Sequence, residues 1–275
     1  MIKKVIISLL FLFTAGRLFS QDPLLEQWYQ QALSLKQQQN CREAVVLFEK
    51  ILNQNPSFKE TIYELGWCYN ELQQFGKALE VFRRKATVEA SDYRFVYERA
   101  FSLAALGNAA EAVKDYDQVI RWQPAFAPAY SAKAELMKDQ LKDVAAALQL
   151  FIKAADLDTG NAKNFYWAGW CCNELGQPLK AIPFLTKAAE NLSYRALAFS
   201  ETGFSYYSLG NYILALDFLT KSDNIRPKME LNLFYMGMCY VKQGNKPLAV
   251  KKYNELVLLE SDYAISLLNE IKNMK

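Results

Sequence analysis

The chain has 275 residues, of which 52% are hydrophobic and 22% charged, a globular composition with enough apolar side chains for an extended core. Its formal net charge of +3 gives no basic footprint for nucleic acid. The absence of histidine removes the commonest general base, the His-dependent nucleophilic triads and every His-containing zinc site.

Lys3 and Lys4 precede an apolar run, Val5–Phe13, broken only by Ser8, and small residues Thr14, Ala15 and Gly16 follow. This is the layout of a secretory signal peptide over residues 1–20, with cleavage expected after Ser20 and Gly16 as the alternative. The run is shorter than the roughly 20 apolar residues a bilayer span requires. Lys3, Lys4 and Arg17 carry the whole positive excess, so residues 21–275 are neutral. The expected location is exported, periplasmic or secreted, in a bacterium, with no transmembrane segment after cleavage.

From Leu25 onward, paired amphipathic helices recur at a period of about 34 residues. The repeats cover 25–58, 59–92, 93–126, 127–161, 162–195, 196–229 and 230–263. The second shows the pattern most clearly: Ile62, Leu65 and Tyr69 form one helical face, Gly66 allows close approach, and Ala78 and Phe82 form the facing stripe. The fourth carries an extra residue in the turn around Asp139–Asp143. Gly107, Gly176, Gly210 and Gly244 are expected to end first helices at positive φ. Pro183 falls inside a second helix and should kink or delay it. Residues 264–275 read as a final amphipathic capping helix, with Ala264, Leu267, Leu268 and Ile271 inward. A longer period is also visible. Gly66-Trp67-Cys68-Tyr69-Asn70-Glu71-Leu72 returns as Gly169-Trp170-Cys171-Cys172-Asn173-Glu174-Leu175, an offset of 103, so a three-repeat block is duplicated.

These residue types at this spacing resemble the tetratricopeptide repeat family. The resemblance covers nearly all of residues 21–275. It implies an all-α, right-handed superhelical solenoid of about seven helix-turn-helix repeats plus a C-terminal capping helix. It also implies a non-catalytic scaffold that binds a peptide or helix of another protein, with no cofactor and no metal. Repeat positions 2, 5, 9 and 12 face the family's concave groove. Here they hold Tyr29, Tyr63, Trp67, Asn70, Tyr97, Phe101, Tyr166, Trp170, Asn173, Phe204, Tyr207, Phe234 and Met238. The aromatic rings offer contact area and the Asn amides could bond a peptide backbone. The same aromatics could instead pack between adjacent first helices.

No phosphate-binding glycine loop is present, and the carboxylates are scattered as on solvated helix faces. Cys68, Cys171 and Cys239 occupy a repeat position where small buried residues are usual, so the five cysteines read as core hydrophobes. Other functional readings are a glycan or envelope-polymer module using the aromatic rings, and self-association through the uncapped first repeat. An enzyme is the least supported.

Overall fold

A computed structural model describes residues 22–85 and 92–274; the leader assigned to residues 1–20, and Lys275, lie outside them. Fifteen helices are found among the described residues, with no strand. In the first unit they are α1 (Pro23–Gln37), α2 (Cys41–Gln54), α3 (Thr61–Glu71), α4 (Phe75–Lys85), α5 (Tyr93–Ala105) and α6 (Ala109–Trp122). The second unit holds α7 (Ala127–Asp139), α8 (Val144–Leu157), α9 (Ala162–Glu174), α10 (Pro178–Ala188), α11 (Leu192–Ser208), α12 (Tyr212–Ile225), α13 (Glu230–Lys242), α14 (Lys246–Leu258) and α15 (Tyr263–Lys272). The chain divides between Trp122 and Gln123. The division falls beside the boundary between the two copies of the duplicated block.

Each helix pair is an antiparallel hairpin built on local signals. Asn40, Asp143, Asn211 and Asn245 open second helices, each side chain accepting from the backbone N–H three residues on. Asp92, Asn161 and Asn191 do the same for first helices two residues on. The turns inside the hairpins need one left-handed residue. Gly176 supplies it with φ of 65°, whereas Gln73, at the equivalent place in the first unit, adopts φ of 57° with a side chain.

In each unit the core is a column of small residues facing large ones. Ala44, Ala78, Ala112, Ala147, Ala181, Ala215 and Ala249, one per second helix, are all fully buried. One turn further on, Phe48, Phe82, Tyr116, Phe151, Leu185 and Leu219 reach back over the first helices and are also sealed from water. Each such side chain contributes about 1.5–3 kcal/mol by burial. Close approach requires glycine opposite: a Cβ on Gly66 would lie 2.4 Å from the Phe82 ring, and one on Gly169 2.6 Å from Leu185. The last pair departs from the rule. Tyr253 is only half-buried, and the side chain seated on Gly237 is Leu267 of α15, which a Cβ would meet at 2.4 Å. The terminal helix thus completes the final hairpin's packing as well as covering its apolar side.

Pro183 does not interrupt α10, which runs through it but closes at Ala188 after eleven residues. The chain turns early, and α11 begins at Leu192 and extends over seventeen residues, capped by Asn191. All five cysteines are buried and unpaired. Burial pushes the thiols of Cys171 and Cys239 up to about 12, so they stay protonated and inert as core groups.

Candidate functional site

First helices of neighbouring pairs touch in both units: α1 with α3 and α3 with α5, then α9 with α11, α11 with α13 and α13 with α15. The residues singled out from sequence lie along these contacts. The structure divides them into three groups.

The two asparagines are not free to receive a peptide. Asn70 is 4% exposed, and its Nδ2 donates to Glu98 Oε2 at 2.9 Å and to the Glu98 carbonyl at 3.1 Å. Its Oδ1 accepts from the Ser102 hydroxyl at 2.6 Å. Asn173 repeats the arrangement with Glu201 at 2.9 and 3.1 Å and Ser205 at 2.7 Å. The expectation that these amides bind a ligand's backbone is therefore corrected. They fasten α3 to α5 and α9 to α11, with both amide protons of each already donated and each amide oxygen already accepting from a serine.

These clamps hold one half-buried carboxylate, Glu98, and one buried carboxylate, Glu201. Burial pushes Glu98 up to about 6, with the Asn70 bond opposing the shift, Glu71 adding to it and Lys36 reducing it. Glu201 moves upward for the same leading reason, against its bond from Asn173 and helped by Glu174.

The second group is aromatic but committed to packing. Tyr29, Tyr166 and Met238 are buried. Tyr166 is wedged between Trp167, with ring centroids 5.0 Å apart, and Tyr194 at 5.6 Å. Tyr63 lies 5.9 Å from Phe95, and burial pushes its phenol up, so it stays neutral. Tyr97 contacts Tyr116 at 5.9 Å.

The third group keeps a face toward solvent. Phe101 is 42% exposed, touching Phe75 edge-on at 5.9 Å. Trp67 and Trp170 are half-buried. Lys36 Nζ stands 4.0 Å from the Trp67 ring centroid and pairs with Glu64 at 2.5 Å. Lys138, at the matching repeat position, stands 3.9 Å from Trp167 and 5.6 Å from Trp170. In the second unit, Phe204 and Tyr207 lie 4.9 and 5.2 Å from Tyr235, which also touches Phe234 at 5.2 Å. Each unit thus carries a half-exposed aromatic patch along its first helices.

Repeat position 6, which the sequence reading left out, proves central. It holds Glu64, Glu98, Trp167, Glu201 and Tyr235, the side chains that engage the lysines, the asparagines and the neighbouring rings. The signal was available in the recurrence of Glu98 as Glu201 at the 103-residue offset.

No curated protein sequence matches the chain. Similar solved structures include a tetratricopeptide repeat protein from Parabacteroides merdae, 14% identical, with 90% of this chain and 99% of that one covered and a TM-score of 0.60. The C-terminal part of a repeat-containing protein from Cytophaga hutchinsonii is 17% identical, with 87% and 99% covered and a TM-score of 0.71. YrrB, described as a tetratricopeptide repeat protein with an unusual peptide-binding site, is 20% identical, with 70% and 99% covered and a TM-score of 0.61. Three tetratricopeptide repeat profiles match residues 29–92, 93–126 and 232–272, together half of the chain. With helix pairs, left-handed turns and alanine columns recurring at the period these profiles describe, the chain belongs to the tetratricopeptide repeat family, whose fold is that of a protein-interaction scaffold.

Proposed function

We propose that this protein is a non-catalytic interaction scaffold of the bacterial cell envelope, exported by its N-terminal leader, and that it binds a peptide or helix of a partner protein on the aromatic face of its first helices. The observation that carries this reading is the state of Trp67, Phe101, Trp170 and Phe204. Each retains accessible ring surface while the neighbouring polar groups are bonded within the protein. Such patches favour ligands that bury apolar side chains, since Trp and Tyr supply large contact area at low entropic cost. The peptide-binding site named for the similar YrrB structure is consistent with this reading.

The test is a pull-down from envelope extract with residues 21–275, beside the Trp67→Ala/Trp170→Ala variant, with bound proteins identified by mass spectrometry. Removing the rings forfeits lysine contacts of about 0.5–1 kcal/mol each together with their partial burial against the core, at most about 1.5–3 kcal/mol each, so helical circular dichroism and thermal unfolding of the variant are measured alongside. A protein retained by the parent and lost by the variant supports the site. Equal retention by both would move the interface off the first helices. No protein retained by either would favour a glycan ligand or self-association.

A further inference from the structure

A second kind of site lies on the side formed by the second helices, where consecutive hairpins leave a notch. In the first unit the notch between α2 and α4 encloses about 420 Å³, and in the second the notch between α8 and α10 encloses about 650 Å³. The 103-residue offset superimposes their linings. Glu49 corresponds to Ile152, Tyr69 to Cys172, Lys77 to Lys180 and Glu80 to Pro183.

The chemistry of the two is opposite. In the first unit, Tyr69 donates its hydroxyl proton to Glu49, Lys77 Nζ stands 5.4 Å from the Tyr69 ring, and Glu80 lines the same wall. The notch is filled by a ring, and its cation has carboxylates beside it. In the second unit both carboxylates are replaced by apolar residues and the ring by a thiol, which widens the space. Leu148, Ile152, Leu175, Leu179 and Phe184 make the wall. Lys180 is the one charged residue in that lining, is exposed, and forms no ion pair among the described residues. Leu179 stands 70% exposed at the rim, although its first-unit counterpart is Gly76.

We propose that the cleft between α8 and α10 binds a free long-chain carboxylate, its tail along Leu148, Ile152, Leu179 and Phe184 and its head group paired with Lys180. The volume lies within the roughly 300–1,000 Å³ of small-molecule sites, which are mostly apolar with a few polar groups fixing orientation. A neutral apolar ligand would bring low-dielectric material against an uncompensated ammonium, and a cationic one would be repelled. An anion with an apolar body supplies the charge that the duplication lost at Ile152 and Pro183, and it covers the exposed Leu179.

The experiment is calorimetric titration of the mature chain with dodecanoate below its micellar concentration, beside dodecyltrimethylammonium, which carries the same tail on a cation. Saturable one-to-one binding of dodecanoate, with the cation bound at least about tenfold more weakly, is expected. Lys180→Glu should weaken dodecanoate by about tenfold or more. Ile152→Glu, which restores the carboxylate that the first unit tolerates at this place, should do the same. Both variants are checked for unchanged helicity. The proposal is overturned if dodecanoate shows no saturable binding, if the cation binds equally well, or if both folded variants bind dodecanoate like the parent.

Discussion

Asn164 offers a sharp test of how neighbouring hairpins are fastened. It is 1% exposed, its Oδ1 accepts from Ser131 at 2.8 Å, and its Nδ2 has no hydrogen-bond partner among the described residues. Two repeats later Asn232 occupies the same position. There Oδ1 accepts from Ser200 at 2.5 Å and Nδ2 donates to Ser222 at 2.8 Å, while Ser222 donates to the Ala196 carbonyl at 2.7 Å. The residue corresponding to Ser222 beside Asn164 is Ala154, which is fully buried. Ala154→Ser should therefore supply the missing acceptor, with the Ala127 carbonyl, counterpart of Ala196, placed to take its proton. An unsatisfied buried donor costs about 1–3 kcal/mol, and the expected gain is about 1 kcal/mol after the new hydroxyl is desolvated. For a chain of this size that corresponds to a rise in melting temperature of about 2–4 °C. The reciprocal change, Ser222→Ala, should strand Asn232 and cost about 1–3 kcal/mol. Both are read by thermal or urea unfolding followed by circular dichroism. If Ala154→Ser is neutral or destabilising while Ser222→Ala is also harmless, the serine–asparagine bonds do not fasten these hairpins and the reasoning fails.

The Glu98 clamp predicts a pH dependence. Its folded value of about 6 lies above the ordinary 4.5, so the folded state binds the proton more tightly. Stability from this group is present below pH 4.5 and lost as pH rises through 6, at a cost near neutrality of up to about 2 kcal/mol. Glu98→Gln keeps an acceptor for Asn70 without the charge. It should raise stability at pH 7 by about 1–2 kcal/mol and leave it unchanged at pH 4, which urea titrations at the two pH values would show. A gain that is equal at both pH values would mean that the carboxylate's charge is not what costs stability. At the turn after α3, Gln73→Gly relieves a left-handed residue and should stabilise the first unit by about 0.5–1 kcal/mol, as Gly176 does for the second. A loss in thermal unfolding would indicate that the Gln73 side chain contributes more than the backbone strain costs.

Helix pairing is legible in the sequence because its determinants are local. Capping Asn and Asp residues, turn glycines and a 3.6-residue apolar period each act within a few residues, and their recurrence fixes the family. The alanine column and the glycines beneath Phe82 and Leu185 were equally readable, since a large side chain over a first helix leaves room only for hydrogen. What sequence could not decide is how groups two helices apart share space. Asn70 reads as a groove residue by its repeat position, yet Glu98, twenty-eight residues on, captures its amide. Leu267 reads as a cap, yet it also replaces Tyr253 over Gly237. The notches beside Lys77 and Lys180 share a register, and only the packed helices show one filled by the Tyr69 side chain and the other lined by apolar residues. In each case the outcome depends on which neighbour reaches a polar or apolar group first, a competition settled by three-dimensional distance and by the free energy of leaving buried groups unpaired.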